Sequence, residues 1–161
     1  MKTIVMITFE YPPALIGGVG KVAKDKSSAF RRLGYTVYVI GPSVQDGPFF
    51  YPIPVYNNVK KMIKAFQAVR KIHRAIKIDL IYCISGTYPG FVGFVASKLF
   101  GLPYVTMAHG NEFLRFKNRP LLRTAIRYVF NKSRAVLAVS GYVGEQLNRF
   151  GVRPEKISVV F

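Results

Sequence analysis

The hydrophobic positions of this chain form short uninterrupted runs that alternate with longer amphipathic stretches. The runs have the length of β-strands, and their lack of polar alternation indicates strands covered on both faces. They span Thr3–Thr8, Thr36–Ile40, Leu80–Ile84, Tyr104–Ala108, Ala135–Val139 and Ile157–Val160. The stretches between them carry apolar residues at helical spacing and span Val19–Leu33, Val59–Ile76, Phe91–Phe100, Pro120–Phe130 and Gly141–Phe150. This alternation predicts one Rossmann-like α/β domain over residues 1–161, doubly wound around a mostly parallel sheet.

Sequence signals also mark the ends of several predicted helices. Gly34, Gly101 and Gly151 each follow a helical stretch, at the position where a glycine in the left-handed conformation commonly ends a helix. Asn118 stands just before Arg119-Pro120, which predicts an N-cap followed by a proline in the first turn.

Other features narrow the class of protein. Residues 80–97 carry no charge, but the breaker sequence GTYPG at 86–90 interrupts them, which favours a strand, a loop and a buried helix over a membrane span. The single cysteine, Cys83, excludes a disulfide within the chain, is too few for a zinc site and is expected to lie buried on a strand. No secretory signal opens the sequence, so the expected location is cytoplasmic, and no metal site is predicted.

The charge of the chain is strongly positive. It has 24 Lys and Arg against 7 Asp and Glu, a formal net charge of +17, which favours an anionic partner such as a phosphorylated ligand, a membrane surface or a nucleic acid. More than half of the basic residues fall in two segments without acids. The first has Lys60, Lys61, Lys64, Arg70, Lys71, Arg74 and Lys77, and the second has Arg115, Lys117, Arg119, Arg123, Arg127, Lys132 and Arg134. His73, within the first segment, is expected at the surface.

A glycine-rich turn follows the first predicted strand. The sequence Glu10-Tyr11-Pro12-Pro13 leads into Gly17-Gly18-Val19-Gly20-Lys21, where the first helix is expected to begin. Glycine lets a backbone approach a ligand closely, and the first N–H groups of a helix have no internal partner and carry partial positive charge. The turn therefore predicts a phosphate-binding position.

Two common phosphate-binding motifs fit this turn poorly. A Walker A loop requires G-x-x-x-x-G-K-[ST], but Val22 follows Lys21, and Leu15 stands five positions before Gly20. Residues 18–23 match the G-x-G-x-x-A form of dinucleotide-binding folds. However, the second strand ends without the acidic residue that binds a ribose hydroxyl, and the loop over residues 9–16 is long for that motif.

Four segments, in order along the chain, carry a further pattern. They are Glu10–Pro13 with Gly17–Gly20 and Leu33–Val37, then Gly101–Glu112 (GLPYVTMAHGNE), Ala135–Ser140 (AVLAVS) and Gly151–Val160 (GVRPEKISVV). Together they resemble the retaining glycosyltransferases of the GT-B type, the large family four group, and the second segment resembles that family's GxPxVxxxHGxE pattern. Residues Ile84-Ser85 depart from the family, because many members have a histidine after this strand.

This resemblance implies an architecture and an activity. A GT-B enzyme has two Rossmann-like halves, and the chain resembles the N-terminal, acceptor-side half. The nucleotide-sugar half, with its paired glutamates eight positions apart, has no counterpart in this sequence. The resemblance thus implies transfer of a sugar from a nucleotide diphosphate sugar to an acceptor hydroxyl, with retention, no cofactor and a C-terminal GT-B domain as partner. The isolated chain is then expected to be inactive, because the closed cleft needs both walls.

The resemblance also implies roles for particular residues. Gly17, Gly18 and Gly20 would present N–H groups to the diphosphate, and Lys21 would add positive charge. His109 would act as the catalytic residue, in contact with the reacting sugar or the acceptor hydroxyl. The other substrate-binding residues expected are Glu10, Asn111, Glu112 and Ser140. Structural alternatives remain: a packed turn for the glycines, a structural histidine, ion pairs for the carboxylates and an N-cap for Ser140.

The basic segments suggest where the acceptor lies. An aromatic, proline-rich loop at residues 47–56 leads into the first basic segment, and this combination is typical of helices that lie on anionic membranes. We expect contact through Lys60, Lys61, Lys64, Arg70, Lys71 and Arg74, on the inner membrane face, with a lipid-linked or membrane-proximal acceptor. An ordinary amphipathic helix packed on the sheet is the alternative. A nucleic-acid-binding α/β module without catalysis is a second one, although no recognition motif supports it.

Overall fold

A computed structural model describes residues 2–14, 17–42, 49–55 and 57–160 of the chain. Its centre is a seven-stranded sheet in which every pair of neighbouring strands is parallel, in the order β3-β2-β1-β4-β5-β6-β7. The strands are β1 Thr3–Ile7, β2 Thr36–Gly41, β3 Phe50–Pro52, β4 Leu80–Cys83, β5 Tyr104–Ala108, β6 Val136–Ala138 and β7 Ile157–Val159. The doubly wound, mostly parallel α/β fold predicted from the sequence is confirmed.

Six α-helices connect these strands. They are α1 Gly18–Arg32, α2 Asn58–Ala75, α3 Tyr88–Phe100, α4 Asn111–Leu114, α5 Pro120–Lys132 and α6 Gly141–Phe150, and a 3-10 turn covers Pro154–Lys156. In the part of the chain that the structure describes, no helix is long and apolar enough to cross a bilayer.

The helices form two layers, one on each face of the sheet, because successive residues of a strand point to opposite faces. Val5 and Ile7 pack with α2 and α3 on one face, and Ile4 and Met6 pack with α1 on the other. Helices α5 and α6 share the face of α2 and α3. This division follows from right-handed crossovers. Helix α1 leads from β1 to β2, toward one edge of the sheet, whereas α2, α3, α5 and α6 each lead toward β7 at the other edge.

The register aligns the carboxyl ends of the central strands. Ile7 of β1 pairs with Cys83 of β4, and Cys83 pairs with Thr106 of β5. The residues that follow β1, β4 and β5 therefore emerge together at one edge of the sheet. In open parallel sheets this edge is where ligands bind.

Several local predictions can be compared with the structure. Gly34, Gly101 and Gly151 have φ values of +85°, +68° and +99°, so the left-handed helix ends are confirmed. Cys83 is buried on β4, also as predicted. The N-cap prediction for Asn118 is wrong, because Arg119 precedes α5 and no side chain caps that helix.

Two other predictions fail because tertiary packing changes the environment of the residues. His73 is half-buried and its ring packs 4.9 Å from that of Phe100, so it is not a surface residue. In the aromatic segment, residues 50–52 form the short strand β3 and Ile53 is buried, so this part is not an exposed loop. Phe49 is exposed, while residues 47, 48 and 56 lie outside the described ranges.

Candidate active site

A cleft of about 790 Å³ opens at the carboxyl edge of the sheet. The loops after β1, β4 and β5 form its floor, and the first turns of α1, α2 and α3 form its sides. Its lining residues are Thr8, Phe9, Glu10, Gly17, Val19, Asn58, Lys61, Ile84, Ser85, Thr87, Tyr88, Pro89, His109, Asn111, Glu112 and Arg115. The volume falls in the range typical of small-molecule sites.

The start of α1 forms one side of the cleft. The helical hydrogen bonds begin with the Lys21 N–H, which donates to the Gly17 carbonyl at 3.0 Å. The three amides between these residues therefore have no helical acceptor, and α1 has neither a side-chain cap nor an acid in its first turn. A Cβ at Gly17 would lie 2.9 Å from Glu10 Oε2, so glycine permits the approach of the Glu10 carboxylate. This helix start therefore has amides without helical acceptors, and the Glu10 carboxylate lies beside them.

His109 stands at the end of β5, on the opposite side of the cleft floor. Its Nε2 lies 2.9 Å from the carbonyl oxygen of Ile84. Because a carbonyl only accepts, Nε2 carries a proton here, and Nδ1 is the acceptor atom of the neutral ring. The hydrogen bond fixes the orientation of the imidazole. The Ile84 carbonyl thus supports His109 at the position after β4 where the sequence departs from the family that it resembles.

Glu112 supports the loop that carries His109. Its Oε1 accepts the His109 backbone N–H at 2.7 Å, in the first turn of α4. Burial raises the pKa of Glu112, and hydrogen bonds from nearby backbone amides oppose this shift. Its Oε2 is buried without a hydrogen-bond partner among the described residues. Within these residues, neither Glu112 nor Glu10 forms the ion pair considered from the sequence.

Lys61 is a cleft residue whose position the sequence analysis assigned wrongly. It was expected on the exposed basic surface, but it is only 6% exposed and lines the cleft. Its Nζ donates to the Phe9 carbonyl at 3.4 Å and lies 5.5 Å from the centre of the Phe9 ring. Burial lowers the pKa of Lys61, and the charge of Glu10 opposes this effect. The helical spacing of Lys61 with Ala65, Val69 and Ile72, all buried, is the signal that could have revealed it.

The structure brings some of the predicted site residues together and leaves others outside. Glu10, Gly17, His109, Asn111 and Glu112 all line the cleft. Four others are not among its lining residues. Gly18 and Lys21 are exposed in the first turn of α1, Gly20 is buried there, and Ser140 caps α6 by accepting the Val143 N–H at 3.2 Å.

Further cleft residues carried no distinctive sequence signal. Ser85 and Thr87 lie between β4 and α3, with their hydroxyl oxygens 2.8 Å apart. Arg115 follows α4 directly and stacks on Phe116, at 4.8 Å from its ring centre. Across the described ranges, no group of three or more His, Cys, Asp or Glu side chains is arranged to hold a metal ion.

Solved structures share this fold. The chain superposes over its full length on 44% of HepE from Anabaena, crystallised in complex with UDP-glucose, with a TM-score of 0.72 and 20% identity. It also matches the catalytic domain of starch synthase IV from Arabidopsis thaliana, bound to ADP and acarbose. That match has a TM-score of 0.67 and 14% identity, and it covers 99% of this chain and 51% of the other. The described domain therefore corresponds to about half of each structure.

Relatives in sequence include a sugar-phosphate synthase and a glycosyltransferase. A region of 115 residues is 29% identical to alpha-maltose-1-phosphate synthase of Mycolicibacterium smegmatis and covers 70% of this chain but 29% of that enzyme. A region of 93 residues is 26% identical to an uncharacterized glycosyltransferase of Methanocaldococcus jannaschii, covering 58% of this chain and 26% of that protein. The model of Glycosyltransferase Family 4 matches residues 16–161, and the chain belongs to this family.

Proposed function

We propose that the chain forms the N-terminal, acceptor-side half of a retaining GT-B glycosyltransferase. The observation that carries this proposal is the cleft itself, in which the open start of α1 and His109 face one space. In such an enzyme a C-terminal domain holds most of the nucleotide diphosphate sugar and closes over this edge. The chain covers less than half of HepE and about a third or less of its curated relatives, which supports this division.

The proposed chemistry uses the backbone of α1 as an anion-stabilising wall. When the bond between the sugar and the diphosphate breaks, negative charge develops on the departing phosphate oxygens. Unpartnered N–H groups that already point at that position stabilise the charge without reorganisation. Structural neighbours solved in complex with UDP-glucose or bound to ADP support a nucleotide diphosphate as the donor portion.

His109 and the residues around it then hold the reacting sugar or the acceptor hydroxyl. Its Nε2–H is engaged by the Ile84 carbonyl, so Nδ1 remains as the hydrogen-bond acceptor of the neutral ring. Glu112 holds the backbone of this loop through the His109 N–H. Glu10 and Asn111 provide further polar groups for acceptor hydroxyls along the same floor.

A transfer assay with the full-length protein that contains this domain tests the proposal. Donors with different nucleotide bases and sugars are incubated with simple glycoside acceptors, and product formation is measured by mass spectrometry. The His109→Ala variant is expected to lose about 100-fold in kcat/KM while keeping its fold, because it loses a group in contact with the reacting atoms. His73→Ala, which changes the other histidine away from the cleft, is the matched control and is expected to retain activity.

Two outcomes of this assay count against the proposal. Full activity of the His109→Ala variant would remove His109 from the reaction. Robust transfer by residues 1–161 alone would show that this domain does not need a second cleft wall.

We further propose that the acceptor is presented at an anionic membrane surface. Helices α2 and α5 both begin at the edge of the sheet that carries the cleft. At the start of α2, Val59 and Ile63 are 65% and 52% exposed and are flanked by the exposed residues Lys60 and Lys64. Apolar side chains beside lysines are the combination by which surface helices bind anionic lipid.

The start of α5 repeats this pattern. Leu121 is 86% exposed and Leu122 is 43% exposed, between Arg119 and Arg123. The exposed residues Arg70, Lys71 and Arg74 extend the positive charge along α2, in contrast to Lys61, which the fold removes from this surface. A membrane in contact with both helix starts would face the mouth of the cleft, and the enzyme would act as a peripheral protein on the cytoplasmic face.

A further inference from the structure

We propose that the cleft contains a second anion-binding subsite, formed by Lys61 and the start of α3, that binds a phosphate or carboxylate group of the acceptor. The inference rests on the proposed function, since it names the chemical class of the acceptor in the same cleft. It predicts that the acceptor is an anionic sugar or a phosphate-bearing lipid.

The first observation is a buried cation that no described carboxylate contacts directly, although the charge of Glu10 acts on it from a longer distance. The Lys61 ammonium has three donors, and the structure gives it one acceptor, the Phe9 carbonyl at the long distance of 3.4 Å. No carboxylate of the described residues lies within 4.0 Å of it. A buried charge is costly unless it is paired and hydrogen-bonded. A residue that is 6% exposed and still lines the cleft is therefore placed to pair with an anion that enters from the cleft.

The second observation is the open N-terminus of α3 at the same cleft. Helix α3 has 13 residues, and Thr87, Tyr88 and Pro89 at its start line the cleft. The Thr87 side chain does not cap this helix, and its first turn contains no acid. Ser85 Oγ accepts the Thr87 N–H at 3.2 Å and Pro89 has no N–H, so the amides without a helical acceptor are those of Tyr88 and Gly90. The partial positive charge of the helix start is therefore not neutralised by the protein. The hydroxyls of Ser85 and Thr87 lie beside it as additional hydrogen-bonding groups.

Helix α2 contributes its lysine and not its N-terminus. The side chain of Asn57 accepts the Val59 and Lys60 amides at 3.1 Å each, so the first turn of α2 is already capped. Lys61, four residues after Asn57, lines the cleft. The positive groups of this side are thus the Lys61 ammonium and the α3 amides.

The carboxylates of the cleft do not contact Lys61 directly. Glu10 Oε2 lies against Gly17 at α1, and Glu112 accepts the His109 N–H at α4. Arg115, which follows α4, adds a further cation to the lining. The two helix starts of the cleft therefore differ: a carboxylate lies beside that of α1, the proposed donor-diphosphate side, whereas that of α3 lies with Lys61 on the side proposed for a group on the acceptor.

Nuclear magnetic resonance titration of the chain tests this subsite without requiring catalysis. The amides of the chain are followed while inorganic phosphate, glucose 1-phosphate, glucuronate or glucose is added. We expect saturable shifts at Lys61, Tyr88 and Gly90 with phosphate or glucose 1-phosphate, and none with glucose at equal concentration. Glucuronate distinguishes a carboxylate from a phosphate. Comparison of glycerol 3-phosphate with dihexanoyl phosphatidate distinguishes a soluble source from a lipid headgroup.

Matched lysine variants show whether the buried cation is responsible. Lys61→Met keeps the apolar stem and is expected to weaken phosphate binding at least tenfold, because a charged hydrogen bond is lost. Lys64→Met, in the next turn of the same helix and exposed, is expected to change the affinity less than twofold. If Lys61→Met fails to fold, the positions of the shifted amides in the unmodified chain decide the matter.

Equal weakening by the two variants, or shifts confined to the outer face of α2, would overturn the subsite. This failure is distinguishable from failure of the proposed function. Loss of the subsite leaves sugar transfer to uncharged acceptors and its dependence on His109 intact. Absence of transfer from every donor would instead count against the glycosyltransferase assignment, whatever the phosphate titration shows.

Discussion

At the scale of single residues, burial shifts the pKa values of two ionisable cleft side chains in opposite directions. Glu112 has a raised pKa and Lys61 has a lowered one, and desolvation is the main cause of both shifts. Burial therefore favours the neutral form of each group. Such costs are typical of functional sites, and here they give predictions about stability that do not depend on knowing the substrate.

Glu112 is expected to make the fold less stable as the pH rises. Below the ordinary carboxyl pKa of 4.5, Glu112 is protonated in both states and imposes no charge penalty. Above this value the unfolded chain releases the proton first, so the free energy of unfolding falls until the folded Glu112 is also ionised. Glu112→Gln keeps the oxygen that accepts the His109 N–H and lacks this titration. Urea unfolding from pH 4 to pH 8 should therefore show a flatter profile for this variant.

The control for this measurement is Glu145→Gln, which changes an exposed glutamate on α6. It should reproduce the pH profile of the unmodified chain. Identical profiles for Glu112→Gln and the unmodified chain would show that the Glu112 carboxyl is not desolvated.

Lys61 is expected to lower the free energy of unfolding at neutral pH. Burial depresses the pKa of Lys61 in the folded chain. The fold is therefore most stable above the unfolded pKa of lysine, where the amine is neutral in both states, and it loses this stability as the pH falls through the folded pKa. At neutral pH the charged form dominates in the unfolded chain. Lys61→Met should therefore raise the Tm, by roughly 2–4 °C for each kcal/mol gained. A decrease in Tm larger than that of Lys64→Met would instead indicate a structural role for Lys61.

At the scale of elements, α3 lies unusually close to the sheet because it carries glycine at the contact. A Cβ at Gly93 would lie 2.5 Å from Cys83 Sγ on β4 and 3.3 Å from Tyr104 on β5. The close contact of α3 with the sheet fixes the distance between this helix and the strands, and with it the position of the start of α3 at the cleft. Packing of α3 and the geometry of the site are thus linked.

Gly93→Ala is expected to destabilise the chain by about 1–3 kcal/mol, the usual cost of overpacking a core. The helix propensity of alanine offsets part of this loss, by about 0.5–1 kcal/mol. Gly141→Ala, at the exposed start of α6 with no atom within 4 Å of the added methyl group, is the matched control and should change stability by less than about 0.5 kcal/mol. Thermal unfolding followed by circular dichroism compares them. Equal Tm values for the two variants would contradict the close contact of α3 with β4.

At the scale of the whole molecule, the net charge of +17 and the exposed apolar residues at two helix starts should together direct the cleft toward a membrane. We expect the chain to bind vesicles that contain anionic lipid and to bind neutral vesicles weakly. Replacing Val59 and Ile63, or Leu121 and Leu122, by serine should reduce binding in a flotation assay, because the inserted apolar area is lost.

Leu99→Ser provides the matched control for the flotation assay. Leu99 is 64% exposed near the end of α3, at the opposite edge of the sheet, and its replacement should leave binding unchanged. Equal binding to neutral vesicles would exclude the electrostatic part of the proposal. Salt-sensitive binding to unrelated oligonucleotides, without any response to nucleotide sugars, would instead favour the nucleic-acid-binding alternative.

Sequence patterns predicted the elements that bury long apolar runs, and they failed where an element is short. Each of the six predicted strands and five predicted helices has a counterpart within a few residues. Strand β3 was missed because its three residues pair only with β2 at the edge of the sheet, and their aromatic side chains suggested an exposed loop. Helix α4 has only four residues, too few to show a helical period. Asn118 had the right chemistry for an N-cap, but the backbone places Arg119 at that position.

By itself the sequence determined the parallel α/β fold, the open glycine turn and the position of His109 after a strand. These depend on local chain properties: hydrophobic period, glycine content and chain order. Only the tertiary structure decided which polar groups share a cleft, because contacts between residues distant in sequence depend on strand order and helix rotation. The orientation of α2 about its axis places Lys61 in the cleft beside Phe9 and not on the basic surface. The register of β4 with β5 places the Ile84 carbonyl next to His109. The spacing of Lys61 with the buried residues of α2 is compatible with this position, but a hydrophobic pattern predicts which face of a helix is buried and not whether a charged residue on that face stays there.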